Sequence, residues 1–346
     1  DCGNSGTTAR LSLGLLAGRR GRFVLLGDAS LSRRPMGRVV RPLAGLHARV
    51  EGGETLPLVV VGGPLQAAQL RTGVASAQAK SALILAALQA EGESTVREPA
   101  PTRDHTERML RAMGAPLEPF EDGSGWRVRG GSSPLSPVTI AVPGDPSSAA
   151  YALALACVLP ESEIAVDGVS LNPTRLGFYR LLRRMGAELH CEEVSPASVR
   201  DEPEPRGRIV ARSSSMRPIG LTEDDVTDAI DEVPLLAAMA TQAHGVSVIR
   251  GAGELRRKES DRISATASLL RAFGADVEEL ADGLRINGGT PLHGARVDAS
   301  GDHRIAMCAA VLAALAEGST ELAGASWVRI SYPGFFDDLA SLALAG

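Results

Sequence analysis

The chain has 346 residues, which is room for two domains, and it is 44% hydrophobic and 22% charged, as globular proteins with a large core are. A net charge of −5 disfavours nucleic-acid binding as the main role, and no apolar run reaches the ~18 residues of a membrane span. The four cysteines are scattered and form neither a CxxC pair nor a zinc-ligand spacing. We therefore expect reduced thiols, a cytoplasmic location and no metal.

One pattern recurs along the chain: a short strand, a polar turn and an Ala/Leu-rich helix that ends near Gly. The helices of this type are predicted at GNSGTTARLSLGLLAG, ASAQAKSALILAALQAEG, GDPSSAAYALALACVLP, DEVPLLAAMATQAHG and GDHRIAMCAAVLAALAEG. Second helices carry similar tails, MLRAMGAPLE, LLRRMGAELH and LLRAFGADVE. Because the copies recur every ~70–85 residues, above the usual solenoid period, the sequence predicts large α/β units.

Short β-branched segments bounded by Gly or Pro predict the strands. They are RFVLLG, LPLVVVG, VTIAVPG, SEIAVDG, RIVARS, VSVIRG, LRING and TELAG. The acidic, Pro-rich stretch CEEVSPASVRDEPEPRGR predicts an exposed loop inside one repeat. A boundary is predicted near VTIAVPGDPSS, which gives domains of residues 1–142 and 143–346.

Polar residues are concentrated where the predicted helices begin. A helix N-terminus presents unpaired N–H groups and a partial positive charge, so it favours anions. The clusters are GNSGTTAR, GDASLSRRPMGR, ASAQAKSALILAAL, TRDHTERML, AIDEVPLLAAMA, ELRRKESDRI and SGDHRIAMCAAVLAAL. Each alone has an ordinary alternative, namely a capped helix, a solvated basic loop or a mixed-charge surface. The third cluster lacks the P-loop spacing, and its alternative is a capped helix with an exposed Lys80.

The chain has 36 basic residues, of which only Lys80 and Lys258 are lysines. Lysine is a compact charge with a movable pKa, so arginine does not replace it freely. Lys258 and Arg262 are four residues apart, and we expect them on one face of one helix, where they repel unless an anion lies between them. Together the clusters predict a cationic cleft with embedded carboxylates, suited to proton transfer on multiply anionic small molecules.

Nine segments in this order resemble the 5-enolpyruvylshikimate-3-phosphate (EPSP) synthase family. They are GNSGTTAR, RPMGR, SAQAKSALILAAL, TRDHTERML, GDPSSAAY, IDEVPLLA, KESDRI, GDHRIAM and YPGFF, and they extend over almost the whole chain. The resemblance implies an α/β fold, the two-domain inside-out barrel of repeated βαβαββ units, with three repeats in the second domain and an incomplete first domain. It also implies transfer of the enolpyruvyl group of phosphoenolpyruvate to the 5-hydroxyl of shikimate 3-phosphate, with release of phosphate and no metal or organic cofactor.

The resemblance assigns roles residue by residue. Asp231 would accept the proton of the attacking hydroxyl, Glu259 would exchange a proton at the C3 methylene, and Lys258 would lie between the substrates. The implied phosphoenolpyruvate-binding residues are Gly6, Arg34, Gln78, Arg262 and Arg304. The implied shikimate-3-phosphate-binding residues are Ser76, Ala77, Gln78, Arg103, Asp231 and Lys258.

Two alternatives stay open beside this interpretation. The sister transferase that acts on UDP-N-acetylglucosamine uses a Cys on a mobile loop, and the comparable loop GDASLSRRPMGR has none. The other alternative is a non-catalytic, anion-binding fragment of the same scaffold. For the EPSP synthase interpretation we expect a cytoplasmic monomer whose partners are the small molecules phosphoenolpyruvate and shikimate 3-phosphate, without nucleic acid or membrane.

The family's opening strand, followed by Lys-Ser, has no counterpart in this sequence, so we expect an N-terminally truncated member. That segment supplies a Lys to phosphoenolpyruvate and two contacts to shikimate 3-phosphate. We therefore predict that the 346-residue chain turns over little or no substrate, whereas a version extended by such a strand is active. Phosphate release measures both, and a normal rate from the chain as given contradicts the prediction.

Gly6 stands where the resemblance places the smaller residue of glyphosate-sensitive members. We predict that glyphosate inhibits the active, extended enzyme. An inhibition titration checks this, and full activity at millimolar glyphosate would reject it.

Overall fold

A computed structural model describes residues 1–131, 134–195 and 203–344. The described residues form two compact units, the first up to residue 141 together with Pro203, and the second from Val142 to residue 195 and from Glu204 onward. The predicted domains, with their numbers of repeats, stay a prediction.

Within the described residues, the first unit has four α-helices and eight strands. The helices are α1 (Gly6–Ala17), α2 (Gly37–Leu43), α3 (Ala77–Ala87) and α4 (His105–Ala112). The strands are β1 (Gly21–Leu25), β2 (Arg49–Gly52), β3 (Leu58–Gly62), β4 (Leu65–Gln66), β5 (Gln69–Arg71), β6 (Ala90–Arg97), β7 (Leu117–Pro119) and β8 (Gly125–Gly130). One antiparallel sheet has the order β1-β3-β2, and in the other β6 pairs with β8 and β8 with β7 in antiparallel fashion, while β4 and β5 lie parallel to β6.

Helices α1 and α3 approach each other closely at Gly14. A Cβ atom on Gly14 would lie 1.9 Å from the carbonyl oxygen of Ala82, so only glycine allows this backbone contact. Both helices bury Leu and Ala side chains in the core of the unit. The close packing fixes the N-terminal ends of the two helices relative to each other.

The second unit consists of seven helices and nine strands within the described ranges. The helices are α5 (Pro146–Val158), α6 (Gly177–Arg184), α7 (Glu223–Asp228), α8 (Val233–Ala240), α9 (Arg262–Ala272), α10 (His303–Leu315) and α11 (Phe335–Leu344). The strands are β9 (Glu163–Ser170), β10 (Glu188–Ser195), β11 (Arg206–Arg212), β12 (Gly220–Leu221), β13 (Gly245–Ile249), β14 (Asp276–Leu280), β15 (Gly283–Gly288), β16 (Arg296–Asp298) and β17 (Glu321–Ala323). The sheet orders are β10-β11-β9, β12-β13-β15-β14 and β16-β17.

The Ala-rich helices of the second unit are enclosed, as their apolar faces predict. All eight residues of α8 are buried, and α8 packs against α9, α10 and β15. None of the helices within the described ranges has the length and apolarity to cross a bilayer.

The recurring tails end three helices in the same way. Gly114, Gly186 and Gly274 follow α4, α6 and α9 with φ of 81°, 95° and 88°, in the left-handed region that favours glycine. The next alanine in each tail donates its N–H to the carbonyl five residues earlier, as Ala115 does to Leu110 at 2.9 Å. These are Schellman caps, and each leads directly into a strand (β7, β10 or β14). The three recurring tails therefore have the same local structure, a capped helix end followed by a strand.

One strand prediction is wrong, and the predicted acidic loop is shorter than expected. VTIAVPG forms no strand, since the described residues 134–143 lack regular structure and Val142 is 85% exposed. The prolines directly before this segment and near its end have no backbone N–H, so they cannot donate hydrogen bonds to a neighbouring strand. The predicted acidic loop begins and ends in strands, because Glu192 in β10 pairs with Arg208 in β11. Its middle, residues 196–202, lies outside the described residues.

Candidate active site

The first cluster of the candidate site lies at the N-terminus of α1. Ser5 caps the helix by accepting a hydrogen bond from the Thr8 N–H at 3.0 Å. A Cβ on Gly6 would lie 2.8 Å from Nη1 of Arg10 and 3.7 Å from Nη1 of Arg34. The Gly6 backbone therefore lies against two guanidinium groups, and its small size keeps that approach open.

Gln78 connects the starts of α1 and α3. Its Oε1 accepts from Arg10 Nη1 at 2.6 Å, and its Nε2 donates to Thr7 Oγ1 at 2.7 Å. Arg34 Nη2 donates to Asn4 Oδ1 at 2.9 Å. The structure thus brings together three predicted phosphoenolpyruvate-binding residues, namely Gly6, Arg34 and Gln78, and it adds Arg10.

The predicted shikimate-3-phosphate residues Ser76 and Ala77 form the start of α3. Ser76 caps the helix by accepting from the Ala79 N–H at 3.4 Å, and Ala77 is its first residue. Arg103 lies in the segment between β6 and α4 and is half-buried. The adjacent Thr102 is tied to α3, because its carbonyl accepts from Lys80 Nζ at 3.3 Å. Lys80 itself is buried, so the alternative of an exposed lysine is wrong.

Arg262 is the centre of the second cluster, in the other unit. It is 1% exposed and is the first residue of α9. Its Nε donates to Asp302 Oδ2 at 2.8 Å, and its Nη2 donates to Glu259 Oε2 at 2.7 Å. A buried guanidinium requires such partners, because desolvation of an unpaired charge is costly.

Asp231 joins the three cations of this cluster. Its Oδ1 lies 3.3 Å from Lys258 Nζ and 3.4 Å from Arg262 Nη1, and its Oδ2 lies 3.8 Å from Arg304 Nη2. The expectation that Lys258 and Arg262 share a helix is wrong, since Lys258 precedes α9 and follows a 3₁₀ turn over Gly253–Arg257. The anion required between the two cations is the Asp231 carboxylate itself.

The cations of the second cluster differ in how tightly they are held. Arg262 has contacts at 2.7 and 2.8 Å, whereas Arg304 reaches Glu232 at 3.4 Å and Asp231 at 3.8 Å. Three cations (Lys258, Arg262, Arg304) face four carboxylates (Asp231, Glu232, Glu259, Asp302), so the formal sum is 3 − 4 = −1. Within this cluster an anionic ligand therefore competes with these carboxylates for the cations, and the loosely held Arg304 and Lys258 are the easiest to recruit.

Asp302 caps α10 and neutralises Arg262 at once. Burial would raise the pKa of the Asp302 carboxyl, but the Arg262 charge and the hydrogen bond from the Arg304 N–H outweigh it and hold the pKa below its usual range. Burial, and then the charge of Arg304, lowers the pKa of His303, so this imidazole is neutral at pH 7. Burial would lower the pKa of Arg304, but Asp231 and Glu232 raise it, and Arg304 stays charged.

The predicted residues therefore form two groups, each within one compact unit. Gly6, Arg34, Ser76, Ala77, Gln78 and Arg103 belong to the first, and Asp231, Lys258, Glu259, Arg262 and Arg304 belong to the second. Sequence reasoning assigned no role to Arg10, Glu232 and Asp302. The sequence feature that could have identified Arg10 and Asp302 is their position. Arg10 is one turn after Gly6, and Asp302 directly precedes a helix.

Comparison with known proteins first defines the class, an enolpyruvyl transferase with the α/β fold predicted above. A solved EPSP synthase from Acinetobacter baumannii aligns with a TM-score of 0.84 at 39% identity, over 97% of this chain and 76% of that one. The enolpyruvyl transferase NikO from Streptomyces tendae aligns with a TM-score of 0.77 at 21% identity, over 96% of this chain and 75% of that one, a likeness of fold.

The particular family follows from sequence. The model of the family EPSP synthase (3-phosphoshikimate 1-carboxyvinyltransferase) matches residues 1–339 of the chain. A 3-phosphoshikimate 1-carboxyvinyltransferase from Synechococcus sp. (strain JA-3-3Ab) is 49% identical over 99% of this chain and 77% of that protein. One from Shouchella clausii is 45% identical over 99% of this chain and 79% of that protein. The chain belongs to the EPSP synthase family.

The depressed pKa of Asp302 predicts how stability depends on pH. Because its folded pKa lies below the unfolded value of about 3.9, its contribution is complete above that pH and is lost as pH falls through the folded pKa. Asp302→Asn should cost roughly 3–5 kcal/mol at neutral pH and make the loss of stability below about pH 4 shallower. Urea unfolding across pH measures both. Asp228→Asn, which breaks an exposed pair with Arg180, is the control, and an equal loss there contradicts the argument.

Proposed function

We propose that this chain carries the residues for transfer of the enolpyruvyl group of phosphoenolpyruvate to the 5-hydroxyl of shikimate 3-phosphate with release of phosphate, and that Asp231 and Glu259 are the proton-transfer groups. The observation that carries the proposal is the position of Asp231, a partly buried carboxylate between Lys258, Arg262 and Arg304. A base that lies among several cations can accept a proton while those cations hold an anionic reactant in place.

The reaction balances with proton transfers alone. The 5-hydroxyl oxygen bonds to C2 of phosphoenolpyruvate as Asp231 takes the hydroxyl proton, and Glu259 delivers a proton to C3. Phosphate then leaves C2, and C3 returns a proton to restore the double bond. Neither the addition nor the elimination changes an oxidation state or requires a second electrophile, so we propose no metal or organic cofactor.

Phosphoenolpyruvate is proposed to be bound by Gly6, Arg34 and Gln78 of the first unit and by Arg262 and Arg304 of the second. The backbone N–H of Gly6 lies in the first turn of α1, where the helix dipole favours an anion. In the second unit, Arg304 is the residue whose carboxylate contacts are long enough to be exchanged for the ligand. Arg262, buried between Asp302 and Glu259, supplies a fixed charge beside it.

Shikimate 3-phosphate is proposed to place its phosphate at the start of α3. Ser76, Ala77 and Arg103 offer a hydroxyl, backbone N–H groups and a guanidinium, which is the chemistry of phosphate recognition. Gln78 is proposed to contact both substrates. Asp231 and Lys258 are proposed to contact the ring hydroxyl that reacts.

We further propose a monomer that works in the cytoplasm. All four cysteines are unpaired, and three of them are buried, which suits a reducing compartment. The two predicted domains, 1–142 and 143–346, are proposed as its folding units.

Arg304→Gln tests the ligand-binding part of the proposal. Loss of a charge-assisted bidentate contact should weaken phosphoenolpyruvate binding, in the presence of shikimate 3-phosphate, by roughly 10- to 100-fold. Calorimetry measures the dissociation constant without requiring turnover. Arg296→Gln, which removes an exposed arginine paired with Glu321, is the matched control and should bind normally.

Measuring the conversion of the two substrates into products distinguishes a catalytic enzyme from a protein that only binds anions. The N-terminally extended version should release phosphate and form the enolpyruvyl product, and Asp231→Asn should slow this by roughly 100-fold or more. Binding of both substrates without conversion would instead support the non-catalytic alternative.

A further inference from the structure

Lys80 is a buried charge that the proposed reaction does not use. It lies in the first turns of α3 and is 1% exposed, and it is one of two lysines in the chain. Burying an ammonium group costs several kcal/mol unless other groups compensate for its lost hydration. Its surroundings should therefore show why the chain has a lysine there.

Two buried carboxylates compensate the charge of Lys80. Its Nζ lies 3.1 Å from Glu98 Oε1 and 3.0 Å from Glu107 Oε1, and the side chains of both glutamates are at most 3% exposed. The formal sum is 1 − 2 = −1. The Glu107 contact is close in distance but has no well-directed hydrogen bond, and burial raises the pKa of Glu107 despite the nearby Lys80. Glu98, which directly follows β6, is thus the stronger partner.

The same pair holds Thr102 by all three of its polar groups. Glu98 accepts from the Thr102 N–H at 3.3 Å and from its hydroxyl at 2.5 Å, and Lys80 donates to its carbonyl at 3.3 Å. A hydrophobic core would stabilise this position as well as a buried ion pair does, but it would not fix one backbone residue from three directions. The set of Lys80, Glu98, Glu107 and Thr102 is called the Lys80 clamp below.

The Lys80 clamp connects two proposed phosphate-binding elements. Arg103 directly follows Thr102, and the N–H of Lys80 donates to the carbonyl of Ser76, the cap of α3, at 3.0 Å. Within one unit, the clamp therefore sets the position of the Arg103 backbone relative to the first turn of α3.

We propose that Lys80 is a positioning residue for shikimate 3-phosphate: through Glu98 and Thr102 it holds the segment of Arg103 against the start of α3. The inference rests on the proposed function, because it takes Arg103 as a ligand of the substrate phosphate. Lys80 itself touches no reacting atom.

The test is a double-mutant cycle on shikimate 3-phosphate binding to the full chain, measured by calorimetry. Thr102→Val removes the hydroxyl group that donates a hydrogen bond to Glu98. It leaves all charges in place, so the chain should stay folded. We expect it to weaken binding roughly tenfold, since a misplaced positioning contact costs that much or more. In an Arg103→Gln background, Thr102→Val should add less than about twofold, because the group it positions is gone. Lys80→Met should follow the same pattern if it folds.

A matched control separates positioning from stability. Ser81→Ala removes the 2.8 Å hydrogen bond from Ser81 to Thr106, which also joins α3 to α4 but does not touch Thr102. It should lower the melting temperature about as much as Thr102→Val and leave the affinity unchanged.

The outcomes distinguish the two levels of the argument. If Arg103→Gln binds normally, the proposed role of Arg103 fails. If Arg103→Gln binds weakly but Thr102→Val binds normally, or if the two losses are additive, the Lys80 clamp is overturned while the proposed function stands.

Discussion

The ion pair between Arg262 and Asp302 is the contact on which the second cluster depends. Both groups are buried, and Asp302 also caps α10, so one carboxylate fixes a helix start and neutralises a guanidinium. With Arg262 fixed, Asp231 and Glu259 have a stationary positive partner, and Lys258 and Arg304 are left with longer contacts. The arrangement separates a permanent charge from two exchangeable ones, as a site for anions requires.

Much of the fold followed from local chemistry. Ser5, Ser76, Asp145, Thr222, Asp261 and Asp302 all cap helices through their side chains, as residues of these types at helix starts predict. The tails that contain Gly114, Gly186 and Gly274 were recognisable in the sequence. In each, the residue that caps the helix has a left-handed backbone conformation, which favours glycine. The errors arose where tertiary pairing decides: VTIAVPG is joined to a strand through its last residue alone, by a bridge from Gly144 to Val169 of β9, whereas both ends of the acidic loop lie in paired strands.

The sequence indicated several of the residues that come together in each cluster, but not how they contact one another. The sequence places Lys258 and Arg262 four apart, yet a helix start between them separates the two, and Asp231 from a distant segment supplies the anion they share. Lys80 could equally have been exposed, since its carboxylate partners lie 18 and 27 residues away along the chain (98 − 80 and 107 − 80). Scarcity of lysine was the one signal that marked it.

The glycine contact between α1 and α3 has a consequence for how ligands communicate. Because the Gly14 backbone touches Ala82, neither helix can slide without the other, and Gln78 already bridges their first turns through Arg10 and Thr7. The positions of the two helix starts are therefore coupled to each other. By thermodynamic linkage, any coupling between ligands at these two helix starts is reciprocal, because each changes the affinity of the other by the same factor.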